Sequence, residues 1–199
     1  MNIVIIKYNA GNIQSVAFAL QRLGIEPVIS ADADIIRGAD KVIFPGVGEA
    51  FNTMNYLKEH QLDKLIISLK QPVLGICLGL QLMCKHSEEG DTVCLGIFDE
   101  EVKKFIPDAG MENIQKVPHM GWNTISNLKT GLFDASLDNE YVYFVHSYYA
   151  TVGNHTAALA HYTKPFSASL QKGNFYATQF HPEKSGTVGA RILKNFIKL

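Results

Sequence analysis

The chain has 199 residues, 47% of them apolar, with 18 Lys and Arg against 19 Asp and Glu for a formal charge of −1; this suffices for one sizeable core, so residues 1–199 are read as a single domain. The dispersed charge leaves no basic stripe to neutralise phosphates and no apolar stretch reaches spanning length, so neither nucleic acid nor a membrane is expected as a partner, and the chain is read as cytoplasmic. Cys77, Cys84 and Cys94 lack a C-x-x-C spacing, which argues against a disulfide framework and a structural zinc site.

The first third alternates strand and helix. Asn2–Lys7 is a short apolar run, Tyr8-Asn9-Ala10-Gly11-Asn12 supplies turn residues, and Ile13, Val16, Ala17 and Leu20 recur at helical spacing up to a stop at Gly24. Pro27–Ile29 and Lys41–Phe44 read as buried strands. Phe51, Met54 and Leu57 put a helix after Gly48, another covers Leu62–Leu69, and Pro72 ends it. Val73–Ile76 is again a strand, and Leu78, Leu82 and Met83 resume the helical period directly after it. Such alternation predicts a parallel sheet with helices on both faces.

From about Val93 helical periodicity fades. Short strands are predicted at Glu101–Phe105, Trp122–Ile125, Tyr141–Val145, Thr156–Tyr162, Ser167–Gln171 and Phe175–Phe180, with Lys172-Gly173-Asn174 as the hairpin between the last two. A helix over Gly186–Phe196 closes the chain with Ile192, Leu193 and Phe196 on one face. The expected architecture is therefore α/β, a central mostly parallel sheet with antiparallel additions from the second half.

Gly75-Ile76-Cys77-Leu78-Gly79 sits where a strand meets a helix and has the form of a nucleophile elbow with Cys in place of Ser. A side chain projected from so sharp a turn needs a strained backbone, and the flanking glycines let strand and helix pack close around it. A helix starting at Leu78 aims free N–H groups and its positive end at the sulfur, which favours the reactive thiolate. A lone Cys at a strand end is more often a small core hydrophobe; the glycines and a base elsewhere separate Cys77 from that reading.

That base is offered by Phe180-His181-Pro182-Glu183-Lys184. Pro182 biases His181 towards an extended backbone, in which residues two apart face the same side. His181 can then take the thiol proton on one ring nitrogen while Glu183 holds the other N–H. The loop Phe44-Pro45-Gly46-Val47-Gly48 can complete an oxyanion hole with the N–H of Leu78; as a bare G-x-G it lacks the third glycine of a dinucleotide fingerprint. The histidines show no H-E-x-x-H spacing, so neither metal nor cofactor is expected.

In their order and context Pro45-Gly46-Val47-Gly48, Gly75-Ile76-Cys77-Leu78-Gly79-Leu80-Gln81 and His181-Pro182-Glu183 resemble the class I glutamine amidotransferases, and the resemblance covers essentially the whole chain. It implies a three-layer αβα sandwich of the flavodoxin-like kind and a catalytic triad of Cys77, His181 and Glu183. It also implies oxyanion donors from Gly46, Val47, Gly48 and Leu78, and glutamine held by Gly48, Gln81 and the main chain around His146, Ser147 and Tyr148. Gln81 reads equally as a polar residue of a first helical turn, and Ser147 and Tyr148 as plain strand residues.

Within that family Tyr8–Ile13, Pro118–Asn123 and Tyr143–Tyr148, with Lys184 after the triad glutamate, match the glutaminase subunits of histidine biosynthesis. This resemblance implies a heterodimer with a (β/α)8-barrel cyclase that receives the ammonia, and it assigns Asn12, Met120, Trp122, Asn123, Tyr143 and Lys184 to the side facing the barrel. Lys7 stands where that group usually has an acidic residue. Three other readings stay open: a glutaminase serving another acceptor, such as an amidino-sugar paralogue; a non-catalytic amidotransferase-like regulatory domain; and a cysteine peptidase.

Overall fold

The computed structural model describes residues 1–8 and 12–199. The predicted turn residues Asn9, Ala10 and Gly11 lie outside the described residues. In chain order the first half runs β1 (Ile3–Ile6), α1 (Ile13–Arg22), β2 (Val28–Ser30), α2 (Ala33–Arg37), β3 (Lys41–Gly46), α3 (Ala50–Glu59), α4 (Leu62–Ser68), β4 (Val73–Cys77) and α5 (Leu78–Met83). The second half runs β5 (His86–Ser87), β6 (Thr92–Val93), β7 (Glu101–Lys104), β8 (His119–Thr124), β9 (Tyr141–His146), β10 (Tyr148–Ala150), β11 (Thr156–His161), β12 (Pro165–Lys172), β13 (Phe175–Thr178) and α6 (Gly186–Lys198).

The main sheet has seven strands in the order β11-β12-β13-β4-β3-β1-β2. From β13 to β2 every neighbouring pair is parallel, and β11 and β12 add an antiparallel edge. Strand alternation sends Val4, Ile6, Val42, Phe44 and Val73 into one core, where α2 to α5 contribute Ile36, Met54, Leu57, Leu65, Ile66 and Leu80. Ile3, Ile5, Ile43, Leu74 and Ile76 face the other core, against Val16 and Leu20 of α1 and Ile192, Leu193 and Phe196 of α6. Two apolar layers on one sheet make the αβα sandwich, because parallel strands are buried on both faces.

The antiparallel additions differ from expectation in one respect. Only β11 and β12 join the main sheet; β7 and β10 pair in a separate sheet ordered β10-β7-β5-β6, and β8 and β9 form a two-stranded ribbon. The ribbon buries Val142 and Phe144 over the core that also holds Phe105, Phe166 and Phe180. Short half-buried strands take whichever partner lets their apolar face pack, and that choice is made by the core and not by local pattern.

Candidate active site

Cys77 is the last residue of β4 and the first before α5, with φ +55° and ψ −108°, a backbone that side-chain-bearing residues rarely adopt. The neighbours explain why glycine surrounds it. A Cβ on Gly75 would stand 2.9 Å from Met83 Sδ, and one on Gly46 would stand 2.7 Å from the Gly79 nitrogen and 2.8 Å from Leu78 Cβ. β3 and β4 are paired with Gly46 opposite Cys77, so the loop Val47–Gly48 leaves the sheet beside the sulfur. Tyr8 braces that loop from behind, its hydroxyl donating to the Pro45 carbonyl.

His181 is extended, as Pro182 requires, but Pro182–Lys184 then curl into a 3-10 turn instead of continuing flat. The turn brings the Glu183 carboxylate back onto His181, with Oε1 2.7 Å from Nδ1. Asn12, at the start of α1, donates its amide to the same Glu183 oxygen and lies 3.2 Å from His181 Nδ1. The acceptor on one side fixes Nδ1 as protonated, so Nε2 is the nitrogen free to exchange a proton. Nε2 is buried and has no hydrogen-bond partner among the described residues. Burial opposes protonation of this ring, yet the Cys77 sulfur and Glu183 outweigh it and hold the imidazole well above its usual range. The arrangement suits a thiolate-imidazolium pair oriented by a carboxylate.

A cleft of about 380 Å³ opens over this pair, lined by Val47, Gly48, Cys77, Leu78, Gln81, His146, Ser147, Tyr148 and His181. The predicted triad base, nucleophile, loop donors and glutamine-side residues are thus brought to one cavity. Gly46 and Glu183 do not line it. The Gln81 amide donates to the Tyr148 carbonyl at 2.8 Å and to Gln179 Oε1 at 3.1 Å, leaving only its own oxygen to offer a ligand. Both ring nitrogens of His146 are engaged, with the Tyr148 carbonyl at 2.7 Å and His119 at 3.0 Å, so it reaches the cleft as a wall and through its main chain.

Sequence reading missed the cleft residue Glu89, and it gave Pro118 and Val145, which lie in matching segments, no place in the cleft. Glu89 accepts from the Ala50 N–H at 2.8 Å, and burial raises its carboxyl, with Ala50 opposing and Glu49 adding. Its signal in the sequence is slight, one acid among several in an irregular stretch.

The residues predicted to face a partner divide in two. Met120 and Trp122 are 67% and 56% exposed, and Trp122 meets Tyr143 edge-on across the ribbon at 6.0 Å between ring centroids. Lys184 is exposed nearby in sequence to the triad. Asn123 lies on the opposite face of β8, 3.3 Å from His119 Nε2 and 2.8 Å from the His161 carbonyl. Asn12 is only 5% exposed, and its amide is turned inward to Glu183 and His181. Among the described residues no three His, Cys, Asp or Glu side chains are placed to hold a metal, and no helix is long and apolar enough to cross a membrane.

The family model for class-I glutamine amidotransferases matches residues 4–199. The imidazole glycerol phosphate synthase subunit HisH of Bacteroides fragilis is 61% identical over 199 residues, covering 100% of both chains. The subunit of the same name from Escherichia coli is 46% identical over 201 residues, again covering 100% of both. A solved glutamine amidotransferase structure superposes with a TM-score of 0.70 at 19% identity over 98% of this chain and 97% of that one, a likeness of fold.

Proposed function

The chain belongs to the class-I glutamine amidotransferases, and on that premise we propose that residues 1–199 act as one glutaminase domain, the ammonia-producing subunit of an imidazole glycerol phosphate synthase. The observation that supports this reading most directly is the buried Cys77, His181 and Glu183 set opening onto a cleft of amino-acid size.

Glutamine enters with its side-chain amide over Cys77. The thiolate attacks the amide carbon, and the oxyanion is taken by N–H donors of Leu78 and the Val47–Gly48 loop. His181 gives its Nε2 proton to the departing nitrogen, so ammonia leaves and a γ-glutamyl thioester remains on Cys77. His181 then takes a proton from water as the water attacks the thioester. Glutamate is released and the thiolate restored. Glu89 faces the same cleft and is the acid we assign to the α-ammonium of glutamine.

The ammonia passes to a (β/α)8-barrel cyclase subunit, which joins it to a ribulosyl-type aminoimidazole carboxamide nucleotide to give imidazole glycerol phosphate and AICAR. The exposed face of the β8-β9 ribbon, with Met120, Trp122 and Tyr143, is the side proposed to meet that barrel. The test is Cys77→Ala in the complex. Glutamine-dependent synthesis should vanish while synthesis from added ammonium salt stays near the wild-type rate; equal loss with both nitrogen sources refutes the role of Cys77.

A further inference from the structure

The steps above leave one buried polar side chain beside the nucleophile unused. Gln179 is 0% exposed, and the parallel pairing of β13 with β4, Thr178 opposite Ile76, sets the next residue level with Cys77. Neighbouring groups fix which end of its amide faces the sulfur. A backbone carbonyl only accepts, so the Gln81 atom 2.8 Å from the Tyr148 oxygen is its nitrogen. The same nitrogen lies 3.1 Å from Gln179, which must present Oε1 there. Nε2 of Gln179 is therefore turned to Cys77, 3.8 Å from Sγ.

We propose that Gln179 donates a hydrogen bond to the Cys77 sulfur, holding it as a thiolate and aiming it at the substrate, a role that rests on the glutaminase reading of this cleft. A largely buried anion needs donors, and Cys77 is 7% exposed. The sulfur has an acceptor contact as well, the Val145 carbonyl at 3.9 Å, which can serve only an S–H. The two contacts thus serve different protonation states, Val145 the thiol and Gln179 the thiolate. The chain Tyr148 carbonyl, Gln81, Gln179, Cys77 also ties the sulfur to the strand that walls the glutamine site. Charge on sulfur disappears in the thioester and returns when water expels it, so the same donor populates the thiolate before the attack and assists the final release.

The test is Gln179→Glu in the full chain. This change keeps an oxygen for Gln81 and replaces the donor by a carboxylate oxygen of nearly the same size, so packing is nearly preserved. Alkylation of Cys77 by iodoacetamide, followed by peptide mass spectrometry across pH, should show its midpoint raised by about one unit or more, the combined effect of losing one hydrogen bond to a charged group and of facing a carboxylate. Gln179→Met, with neither donor nor charge, should move the midpoint the same way by less. In the complex, kcat/KM for glutamine should fall as the midpoint rises while ammonium-dependent synthesis is unchanged. Midpoints that superimpose on wild type in a variant whose circular dichroism and melting are intact overturn the proposal and leave Gln179 as a brace for Gln81. Failure of the glutaminase reading itself is recognised separately, as absence of glutamate release from the wild-type complex.

Discussion

Gly79, the second residue of the helix that follows Cys77, lies directly beneath the Phe44 carbonyl, and a Cβ placed on it would overlap that oxygen. The contact presses α5 against the end of β3, which is what holds the Val47–Gly48 loop beside Cys77.

Gly79→Ala should therefore damage both stability and catalysis, because the clash is with backbone that no side-chain rotation relieves. Overpacking of this kind costs about 2–3 kcal/mol, roughly 5–10 °C of melting temperature for a chain of this size. Thermal unfolding and glutamate release in the complex check it. A variant with wild-type melting and activity would show that α5 and β3 can separate without consequence.

A glutamine-like electrophile such as diazo-oxo-norleucine should label Cys77 alone. Burial pushes the Cys94 thiol up to about 12, with Lys58 opposing and Glu89 adding. Burial also raises the Cys84 thiol well above its usual range, with Cys94 and Glu100 adding, and its sulfur is engaged with the Leu80 carbonyl at 3.4 Å. Neither is a thiolate at neutral pH, and the thiolate is the nucleophile. Mass spectrometry of tryptic peptides reads the outcome, and stoichiometric labelling of Cys84 or Cys94 would refute it.

The His119–His146 pair should make stability depend on acid. Asn123 donates to His119 Nε2, His119 Nδ1 donates to His146 Nε2, and His146 Nδ1 donates to the Tyr148 carbonyl, so both rings are neutral. Burial pulls His119 down to about 4, and burial, against the Tyr148 carbonyl and with His119 and His181, pulls His146 to about 3. Unfolded rings titrate near 6.5. Between those values the unfolded chain binds more protons, so stability rises with pH. It is fully present above about pH 6.5 and is lost as pH falls towards 4. Urea midpoints at pH 7.5, 6 and 5 should show the decline, and His119→Gln, which keeps a donor for His146, should flatten it. An unchanged slope in that variant would exclude His119 as a source.

Glutamate release should be slow for the chain alone and rise by a large factor with the cyclase and its nucleotide. A Gly48 peptide plane that turns a donor into or out of the oxyanion site would suffice, since Gly48 has φ +117° and one donor is worth about a hundred- to a thousandfold in rate. The ligand-bound cyclase must favour the donor-in state for this to occur. Trp122→Ala should weaken the complex by about thirtyfold, the effect of losing an aromatic anchor of about 2 kcal/mol, with folding intact because the ring is exposed. Release rates that agree within a fewfold in all three mixtures would describe a free-standing glutaminase instead.

Much of the molecule is legible in its amino-acid order alone. Glycines around Cys77, the spacing of His181 and Glu183, and alternating strand and helix signals up to Met83 are local patterns, and each states a backbone requirement or a periodicity within a few residues. They are enough to determine the α/β class and to single out the proposed nucleophile, its proposed base and the loop opposite. What lies beyond them is decided by contacts between distant parts of the chain. Strands after Val93 are visible as strands, but their partners are set by which apolar faces can be buried, so β8 and β9 stand as a ribbon outside the main sheet. The Asn12 amide reaches Glu183 across the fold instead of facing outward. Gln179, a lone polar residue in an apolar strand, meets Cys77 only because β13 and β4 pair in the register they do. No periodicity encodes such a pairing, since it exists only when the sheet has closed.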